Sequence, residues 1–303
     1  MSDSHLKNTR DGVLAALGAY FIWGFSPLFY RAIGSAPALE ILAHRVVWSL
    51  LLCLVLVWVR GQIGALGRIF FEWREMLTLL ASSLLVSSNW LGFIWAVNNE
   101  RALEASIGYF IFPIVTVLLA RLFLGEYLNR NQLTAVVLVV GGVAILLLAQ
   151  QQLPWIALLL ATSFSLYGLV RKKIPTGPLI GLTMECLLLS PAALCYLLYL
   201  NHRGTLVFGT SGWELDVLLA CSAWVTALPL VLFASATRRL RLGTVGMLMY
   251  INPTCQFLLA VYAFGEPFTR AHLYTFALIW TGLLLFTLDS RSRRQTRQHA
   301  HPK

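Results

Sequence analysis

The sequence is poor in charge: only 12% of its 303 residues are Asp, Glu, Lys or Arg. Soluble domains usually contain about 25% charged residues. Hydrophobic residues make up 58% of the chain, which is more apolar surface than a water-soluble core could hide. A lipid bilayer is therefore the expected solvent.

The sequence also lacks the motifs that mark common enzymes. It has no G-x-x-x-x-G-K-[ST] phosphate loop, because none of its four lysines follows a glycine. No H-E-x-x-H or G-x-S-x-G motif occurs either. The five cysteines lie in apolar stretches without metal-like spacing, as packing residues do. We therefore expect no enzyme activity, no cofactor and no metal, and no use of ATP by this chain.

Ten apolar segments are present, each near the length of about 20 residues that crosses a bilayer as a helix. They are rich in Leu, Ala and Val and lack period-2 alternation, which argues against membrane strands. The sequence predicts an all-α integral membrane protein with ten transmembrane helices. The predicted spans are 12–31, 37–59, 76–97, 103–124, 132–149, 154–171, 178–200, 214–237, 243–264 and 271–289.

The chain repeats itself without gaps at an offset of 140 residues. Each copy holds five predicted spans, and an odd number forces the second copy to enter the membrane inverted. Inverted repeats are typical of secondary transporters. The predicted organisation is a cytoplasmic N-terminus (1–11), a first five-helix repeat (12–149), a second five-helix repeat (150–289) and a basic cytoplasmic tail (290–303). Matched positions include Arg31 and Arg171, Ser82 and Ser222, Pro113 and Pro253, Glu126 and Glu266, and Gly142 and Gly282.

The basic residues predict the orientation. With the N-terminus in the cytoplasm, 18 of the 23 Lys and Arg residues fall on the cytoplasmic side and 4 on the other. This bias follows the positive-inside rule and places both termini in the cytoplasm. The tail carries no aromatic residue to stack on bases, so nucleic acid is not an expected partner. We expect a lipid bilayer and a small-molecule substrate as partners, and both a monomer and a homodimer stay open.

Two charged residues lie deep inside predicted spans. Arg45 and Glu185 are matched by the 140-residue offset, and each is about 12 Å along its helix from the nearer membrane face. A charge at such a depth costs roughly 2.5–3.5 kcal/mol on insertion scales. We expect the two long side chains to approach one another in a central cavity and to bind substrate or carry a proton. The alternative is a buried ion pair that only fixes helix packing.

His44 adjoins Arg45, and Glu40 lies one turn earlier on the same face of the second span. Histidine can carry a proton near neutral pH, which makes His44 a candidate coupling residue. A packing role for His44 is the favoured interpretation. Glu40 lies near the outer membrane face, where we expect solvent to hydrate it.

Pro113 and Pro253 occupy matched positions in the fourth and ninth spans. Each removes a backbone hydrogen bond and is expected to kink or break its helix. Matched interruptions in two repeats point to a substrate site, although prolines also serve packing alone. Tyr109, Tyr250 and Asn252 flank the prolines and are candidate substrate contacts.

Aromatic side chains are dense along the candidate pathway. Trp23 and Tyr30 share a face of the first span, and Tyr167 lies in the sixth. Asn89 belongs to a mildly polar stripe on the third span, beside Trp90. Such a lining suits planar or amphipathic substrates, whereas an interfacial belt or core packing is the alternative.

Two glutamates follow glycines at the ends of matched spans. Glu126 and Glu266 end the fourth and ninth spans, and Arg130 and Arg270 lie one turn later. We expect local Glu–Arg pairs that lock two tight turns between helices.

Six stretches carry a specific pattern: GAYFIWGFSPLFY at 18–30, EILAHR at 40–45, NWLGFIWAVNN at 89–99, EASIGYFIFP at 104–113, YGLVRKK at 167–173, and ATRRLRLGT to YINPT at 236–254. With them the chain resembles the RarD family of the EamA-like drug/metabolite transporter superfamily, over nearly its whole length. The resemblance implies ten helices in two inverted halves and a place in the bacterial inner membrane. Members are labelled chloramphenicol-sensitivity proteins or permeases, and relatives export amino acids, drugs and metabolites. Members commonly carry Asn where this chain has Phe112, and Asn252 holds the matched position.

The residues and the resemblance together predict a secondary active transporter of small metabolites or drugs that works by alternating access. A proton-coupled exporter of amino-acid-like or chloramphenicol-like compounds is the more specific hypothesis. The alternative is a passive channel or facilitator for small polar solutes, which needs a continuous polar lining. An intramembrane enzyme acting on lipids needs a nucleophile–base pair, and the sequence supplies none convincingly.

Overall fold

The computed structural model describes residues 3–124, 129–151, 153–171, 174–240 and 248–300. Within these ranges the chain forms eleven α-helices and no strand. A π-helical turn, Leu259–Ala263, continues the tenth helix. The helices are α1 Asp3–Ala32, α2 Ala38–Val59, α3 Ile63–Ile69, α4 Trp73–Asn98, α5 Ala102–Leu124, α6 Arg130–Gln150, α7 Trp155–Arg171, α8 Pro178–Arg203, α9 Trp213–Arg239, α10 Ile251–Leu258 and α11 Arg270–Ala300.

Each predicted span coincides with one of these helices, except that residues 243–247 of the ninth span lie outside the described residues. By length and composition, six described helices can cross a membrane. Two further apolar helices are shorter, at Ala102–Thr116 and Trp155–Arg171. The chain is thus helical and multi-pass. The six are Thr9–Ala32, Ala38–Val59, Trp73–Asn98, Arg130–Ala149, Pro178–Arg203 and Trp213–Phe233.

The short helix α3 is not predicted from the sequence, because seven residues are too few to span a bilayer. It lies between the second and third predicted spans. Its buried residues Leu66 and Ile69 join a small apolar cluster with Val57 of α2 and Met184 of α8. The connection is therefore packed against the end of the bundle.

Helix ends follow local sequence signals. The Asn129 side chain accepts a hydrogen bond from the Gln132 amide at 2.7 Å, and the Gln132 side chain accepts one from the Asn129 amide at 3.1 Å. This reciprocal capping box begins α6. Pro178 opens α8 without the loss of a helical hydrogen bond, and Gly204 ends it in the left-handed conformation with φ of 66°.

Helix packing follows the 140-residue offset. The offset matches α1 with α7, α2 with α8, α4 with α9, α5 with α10, and α6 with α11. The contact of α1 with α9 corresponds to that of α7 with α4, and the contact of α2 with α9 corresponds to that of α8 with α4. The contact of α5 with α7 likewise corresponds to that of α10 with α1, while α2 meets its own counterpart α8, and α6 meets α11. The extensive contacts between helices thus occur in matched pairs.

Helices α6 and α11 make the same kind of close backbone contact at two matched points. The Thr275 hydroxyl donates to the Gly142 carbonyl oxygen at 2.9 Å. A Cβ at Gly142 would lie 3.1 Å from the Thr275 carbonyl oxygen, and a Cβ at Gly282 would lie 3.0 Å from that of Ala135. Ala135 and Thr275 are themselves 140 residues apart. Matched glycines therefore let two backbones approach at two matched points.

Candidate functional site

Arg45 lies on the buried face of α2 and is only 5% exposed. Its Nε donates to the Thr226 hydroxyl of α9 at 2.8 Å. Its guanidinium carbon lies 4.1 Å from the centroid of the Trp90 ring and 5.6 Å from that of Tyr30. Among the described residues no carboxylate forms an ion pair with Arg45. The cation is held by one hydroxyl and two aromatic rings.

Glu185 lies on the buried face of α8 and is not exposed. Its carboxylate accepts hydrogen bonds from the Ser82 hydroxyl of α4 and, at 3.3 Å, from the Tyr167 hydroxyl of α7. The Arg171 Nε lies 3.7 Å from its Oε1. Unlike Arg45, this charge has a counter-ion.

Arg45 and Glu185 do not form the contact that their matched positions suggest. Each side chain instead turns to the other half of the chain, since Arg45 binds Thr226 and Glu185 binds Ser82. The offset matches α9 with α4, so the two charges use equivalent partner helices. The structure therefore places two separate polar clusters at the boundary between the halves.

Asn89 connects three helices near these clusters. Its Nδ2 donates to the Leu160 carbonyl oxygen at 2.9 Å and to the Ser163 hydroxyl at 3.1 Å. The Tyr109 hydroxyl donates to its Oδ1 at 3.1 Å. Phe93 then links Tyr109 to Tyr30 through ring contacts at 5.7 and 5.9 Å. The third-span stripe is thus joined to the Arg45 cluster through aromatic packing.

Trp23 and Asn252 lie in a separate group between α1 and α10. Gln256 Nε2 donates to the Asn252 Oδ1 at 2.9 Å and to the Trp23 carbonyl oxygen at 3.4 Å. The Trp23 ring contacts Phe233 of α9 at 6.1 Å. Tyr250, directly before α10, packs on the main hydrophobic core.

The His44 side chain contacts other residues than Arg45 does. Its ring stacks on Phe208 at 4.7 Å, and its Nε2 lies 3.9 Å from Glu40 Oε1. The expectation that solvent hydrates Glu40 is wrong, because this residue is not exposed. Its Oε1 accepts hydrogen bonds from the Val207 and Phe208 amides at 2.9 and 3.2 Å. Glu40 therefore ties α2 to the connection between α8 and α9.

The two prolines, each expected to kink or break its helix, differ in their surroundings. Helix α5 continues without interruption through Pro113. Close to it the hydroxyls of Thr116 and Ser165 both donate to the Phe112 carbonyl oxygen, at 2.9 and 3.2 Å. Pro253 lies in the first turn of α10, where a proline costs no helical hydrogen bond, and it follows a turn at residues 249–250.

Glu266 has partners other than the predicted Arg270. Its two oxygens accept hydrogen bonds from the Ala102 and Leu103 amides, at 2.7 and 2.8 Å, at the start of α5. Burial raises the pKa of Glu266, and these two amides oppose that rise. Glu126, the matched residue, lies outside the described residues.

Glu104 of α5 makes a similar contact with the start of α7. Its Oε1 accepts from the Ile156 amide at 2.9 Å, in the first turn of α7, and its Oε2 lies 2.6 Å from Arg101 Nη2. Carboxylates interact favourably with the free amides at a helix start. Glu40, Glu104 and Glu266 each bind backbone amides of an element distant in sequence.

A cavity of about 700 Å³ lies between α2, α8 and α9, at the far end of α2 from Glu40. Cys53, Leu182 and Ala227 line its inner part. Arg60 and Arg239 line it near the helix ends. Ala227 directly follows Thr226, so the cavity ends next to the residue that binds Arg45.

Sequence reasoning missed several partners of the predicted site. Thr226 and Gln256 carry a weak signal, because each lies four residues after a polar residue that was recognised, Ser222 and Asn252. Arg171 was assigned to the cytoplasmic face alone. Among the described residues, no group of three His, Cys, Asp or Glu side chains is placed to hold a metal ion.

Known proteins share this sequence and fold. Residues 10–148 match the profile of the EamA-like transporter family. An "Uncharacterized transporter" of Vibrio cholerae is 44% identical over 93% of this chain and 94% of its own length. "Protein RarD" of Escherichia coli is 44% identical over 94% of this chain and 96% of its own. "Chloramphenicol-sensitive protein RarD" of Pseudomonas aeruginosa is 31% identical over 97% and 99%.

A solved crystal structure shares the fold, with a TM-score of 0.61 at 19% sequence identity. The match covers 92% of this chain and 98% of that one. At this identity the likeness concerns the fold alone.

Proposed function

The chain belongs to the RarD family of EamA-like transporters, and we propose that it is a secondary active transporter rather than an enzyme. It moves small metabolites or drugs across the bacterial inner membrane by alternating access. Both termini lie in the cytoplasm, as the positive-inside bias predicts.

The proposed architecture is ten spans in two inverted halves. The matched helix contacts support it, because exchange of the halves turns each extensive contact into another one or, for α2 with α8 and α6 with α11, into itself. The two close approaches of α6 and α11, at Gly142 and Gly282, support it at the level of single residues. Inverted halves can rock about a site near the membrane midplane and open it to each side in turn.

One observation carries the proposal: the two buried charges at matched positions are each bound by the opposite half. Arg45 binds Thr226, and Glu185 binds Ser82. When the halves rock, both hydrogen bonds lie on the moving boundary. A polar group in a membrane helix is costly and is usually functional. The candidate pathway also includes Tyr30, Trp90, Asn89, Tyr109 and Tyr167, with Trp23, His44, Tyr250 and Asn252 around it.

The cavity between α2, α8 and α9 supports access from one side. It reaches from the helix ends at Arg60 and Arg239 to Ala227, one residue from the Arg45 cluster. The proposed orientation puts this opening on the cytoplasmic side, where an exporter loads its substrate. Glu185 is the proposed proton carrier, because its carboxyl group is buried beside hydroxyl donors and Arg171.

Counterflow in proteoliposomes tests the proposal. The probe is radiolabelled chloramphenicol, chosen because the Pseudomonas aeruginosa relative is named for sensitivity to it. Metabolite extracts from the native host form a second set of substrates. We expect saturable uptake driven by internal substrate, with Glu185→Gln changing its response to a pH gradient, and Glu214→Gln, an exposed glutamate, serving as control. Flux that does not saturate and shows no counterflow would favour the passive channel, and an unchanged pH response in Glu185→Gln would remove Glu185 from the mechanism.

A further inference from the structure

We propose that Arg45 receives the carboxylate of a small organic anion, so that organic acids are among the transported compounds. This inference rests on the proposed function, and it names the substrate class of the same site.

The first step is the missing counter-ion of Arg45. The side chain is 5% exposed, and no described carboxylate pairs with it. Buried charges in proteins are normally paired, because burial removes the water that stabilises them. The rings of Trp90 and Tyr30 lower the free-energy cost of burying the guanidinium group, but they carry no negative charge. Arg45 therefore lies in a site that a negative group would complete.

The second step is the contrast with Glu185. That carboxylate has Arg171 at 3.7 Å and hydroxyl donors from Ser82 and Tyr167. It is already compensated and so does not neutralise Arg45. Of the two charges at matched positions, Glu185 therefore has a counter-ion and Arg45 lacks one, which leaves Arg45 able to bind an anion.

The third step is the geometry of the guanidinium group. Thr226 takes the Nε–H, which fixes the orientation of the plane. The remaining N–H groups belong to the two terminal nitrogens, and no carboxylate takes them. A planar guanidinium group binds a carboxylate through two parallel hydrogen bonds, which favours this ligand over a neutral amide.

The fourth step is the route to the site. Arg45, Ser49 and Cys53 follow one another at four-residue spacing on one face of α2, and Cys53 lines the cavity. The Ser49 hydroxyl is buried and has no hydrogen-bond partner. Further along, Arg60 and Arg239 line the cavity, and no acidic residue is among its described lining residues. A cavity of one sign concentrates ligands of the opposite sign.

Matched acid and amide pairs test the inference on the full-length protein in detergent. The probes are benzoate and benzamide, phenylacetate and phenylacetamide, and lactate and lactamide, at constant ionic strength. We expect at least one acid to raise the melting temperature while its amide does not. Arg45→Gln should weaken the affinity for that acid at least tenfold, and Arg45→Lys should retain part of it. Arg203→Gln, an exposed arginine near the other end of the bundle, should bind like the wild type.

The comparison of acid with amide needs only the wild-type protein, so it stands even if Arg45→Gln does not fold. No shift by any of the acids, or equal shifts by acids and amides, overturns the inference, as does full binding in Arg45→Gln. Saturable counterflow of chloramphenicol with no preference for acids would leave the transporter in place and remove the anion receptor. Acids that stabilise the protein through Arg45 without any counterflow would keep the anion receptor and remove the transporter.

Discussion

The two ends of α2 differ in how the bundle is held together around them. At one end, which we name the carboxylate end, Glu40, Glu104 and Glu266 bind backbone amides of other elements. At the other end, which we name the cavity end, α2, α8 and α9 border the 700 Å³ cavity, with Arg60 in its lining. Glu40 and Arg60 are about 30 Å apart along the helix axis.

In the proposed alternating-access cycle, the two ends of α2 exchange these roles. Charge-assisted hydrogen bonds to backbone amides are stronger than neutral ones, and they are specific in direction. The carboxylate end is closed by such bonds between elements that are distant in sequence. In the proposed cycle these bonds break when this end opens and the cavity end closes.

The largest expected effect is from the loss of a tie at the carboxylate end. Glu266→Ala leaves the Ala102 and Leu103 amides without their acceptor, at a cost of roughly 1–3 kcal/mol for each buried group. We expect the free energy of unfolding to fall by about 3 kcal/mol, measured by denaturant titration in mixed micelles. The control is Glu214→Ala, because this glutamate is exposed in the first turn of α9. Equal stability of the two variants would show that the tie does not hold this end.

The second prediction concerns the cavity end. Leu230 lines the cavity, and Leu230→Trp adds a large ring to a space that is otherwise open. We expect counterflow to slow by at least about tenfold, because the ring blocks entry, while the unfolding free energy changes by about 1 kcal/mol or less. Leu228→Trp is a matched control, since Leu228 lies on the same helix but is exposed. Transport that is equally fast in both variants would show that the cavity is not part of the transport pathway.

The smallest expected effect is from Glu40→Gln, which keeps an oxygen acceptor but removes the charge. The Val207 and Phe208 amides should then exchange hydrogen for deuterium about fivefold faster, because a charge-assisted hydrogen bond is replaced by a neutral one. Exchange measured by mass spectrometry on a peptide covering 204–212 reports this change. Glu214→Gln is the control. Unchanged protection in Glu40→Gln would mean that the charge of Glu40 does not close the carboxylate end.

The helices of the core were predictable from the sequence, and their polar partners were not. A run of about 20 apolar residues has one structural solution in lipid, so the segments coincide with helices. Arg45 and Glu185 were recognised because a charge in such a run is rare. Thr226 and Ser82 were harder to assign, since hydroxyl groups are common in apolar helices and satisfy themselves on their own backbone. Their role depends on which helix lies opposite, and the sequence does not state that directly.

Two predictions used local sequence alone, and the structure departs from each of them. Glu266 was paired with Arg270 one turn away, but the start of α5 offers two free amides, which compete well for a carboxylate. Pro113 was expected to kink or break α5, but the helix has no break there, and α7 packs against it on both sides of the proline, at Gly108 and at Thr116. In both cases the local sequence does not show a contact from another part of the chain.

The close approach of α6 and α11 bears on how such a chain can arise. Gly142 meets Thr275 while Ala135 meets Gly282, so two matched surfaces pack on one another. In the proposed inverted arrangement such a surface is self-complementary, so a gene for one half, inserted in both orientations, would encode both sides of the seam. Fusion of two such genes into one keeps the two halves in a one-to-one ratio. After such a fusion the matched positions can differ, as Arg45 and Glu185 do.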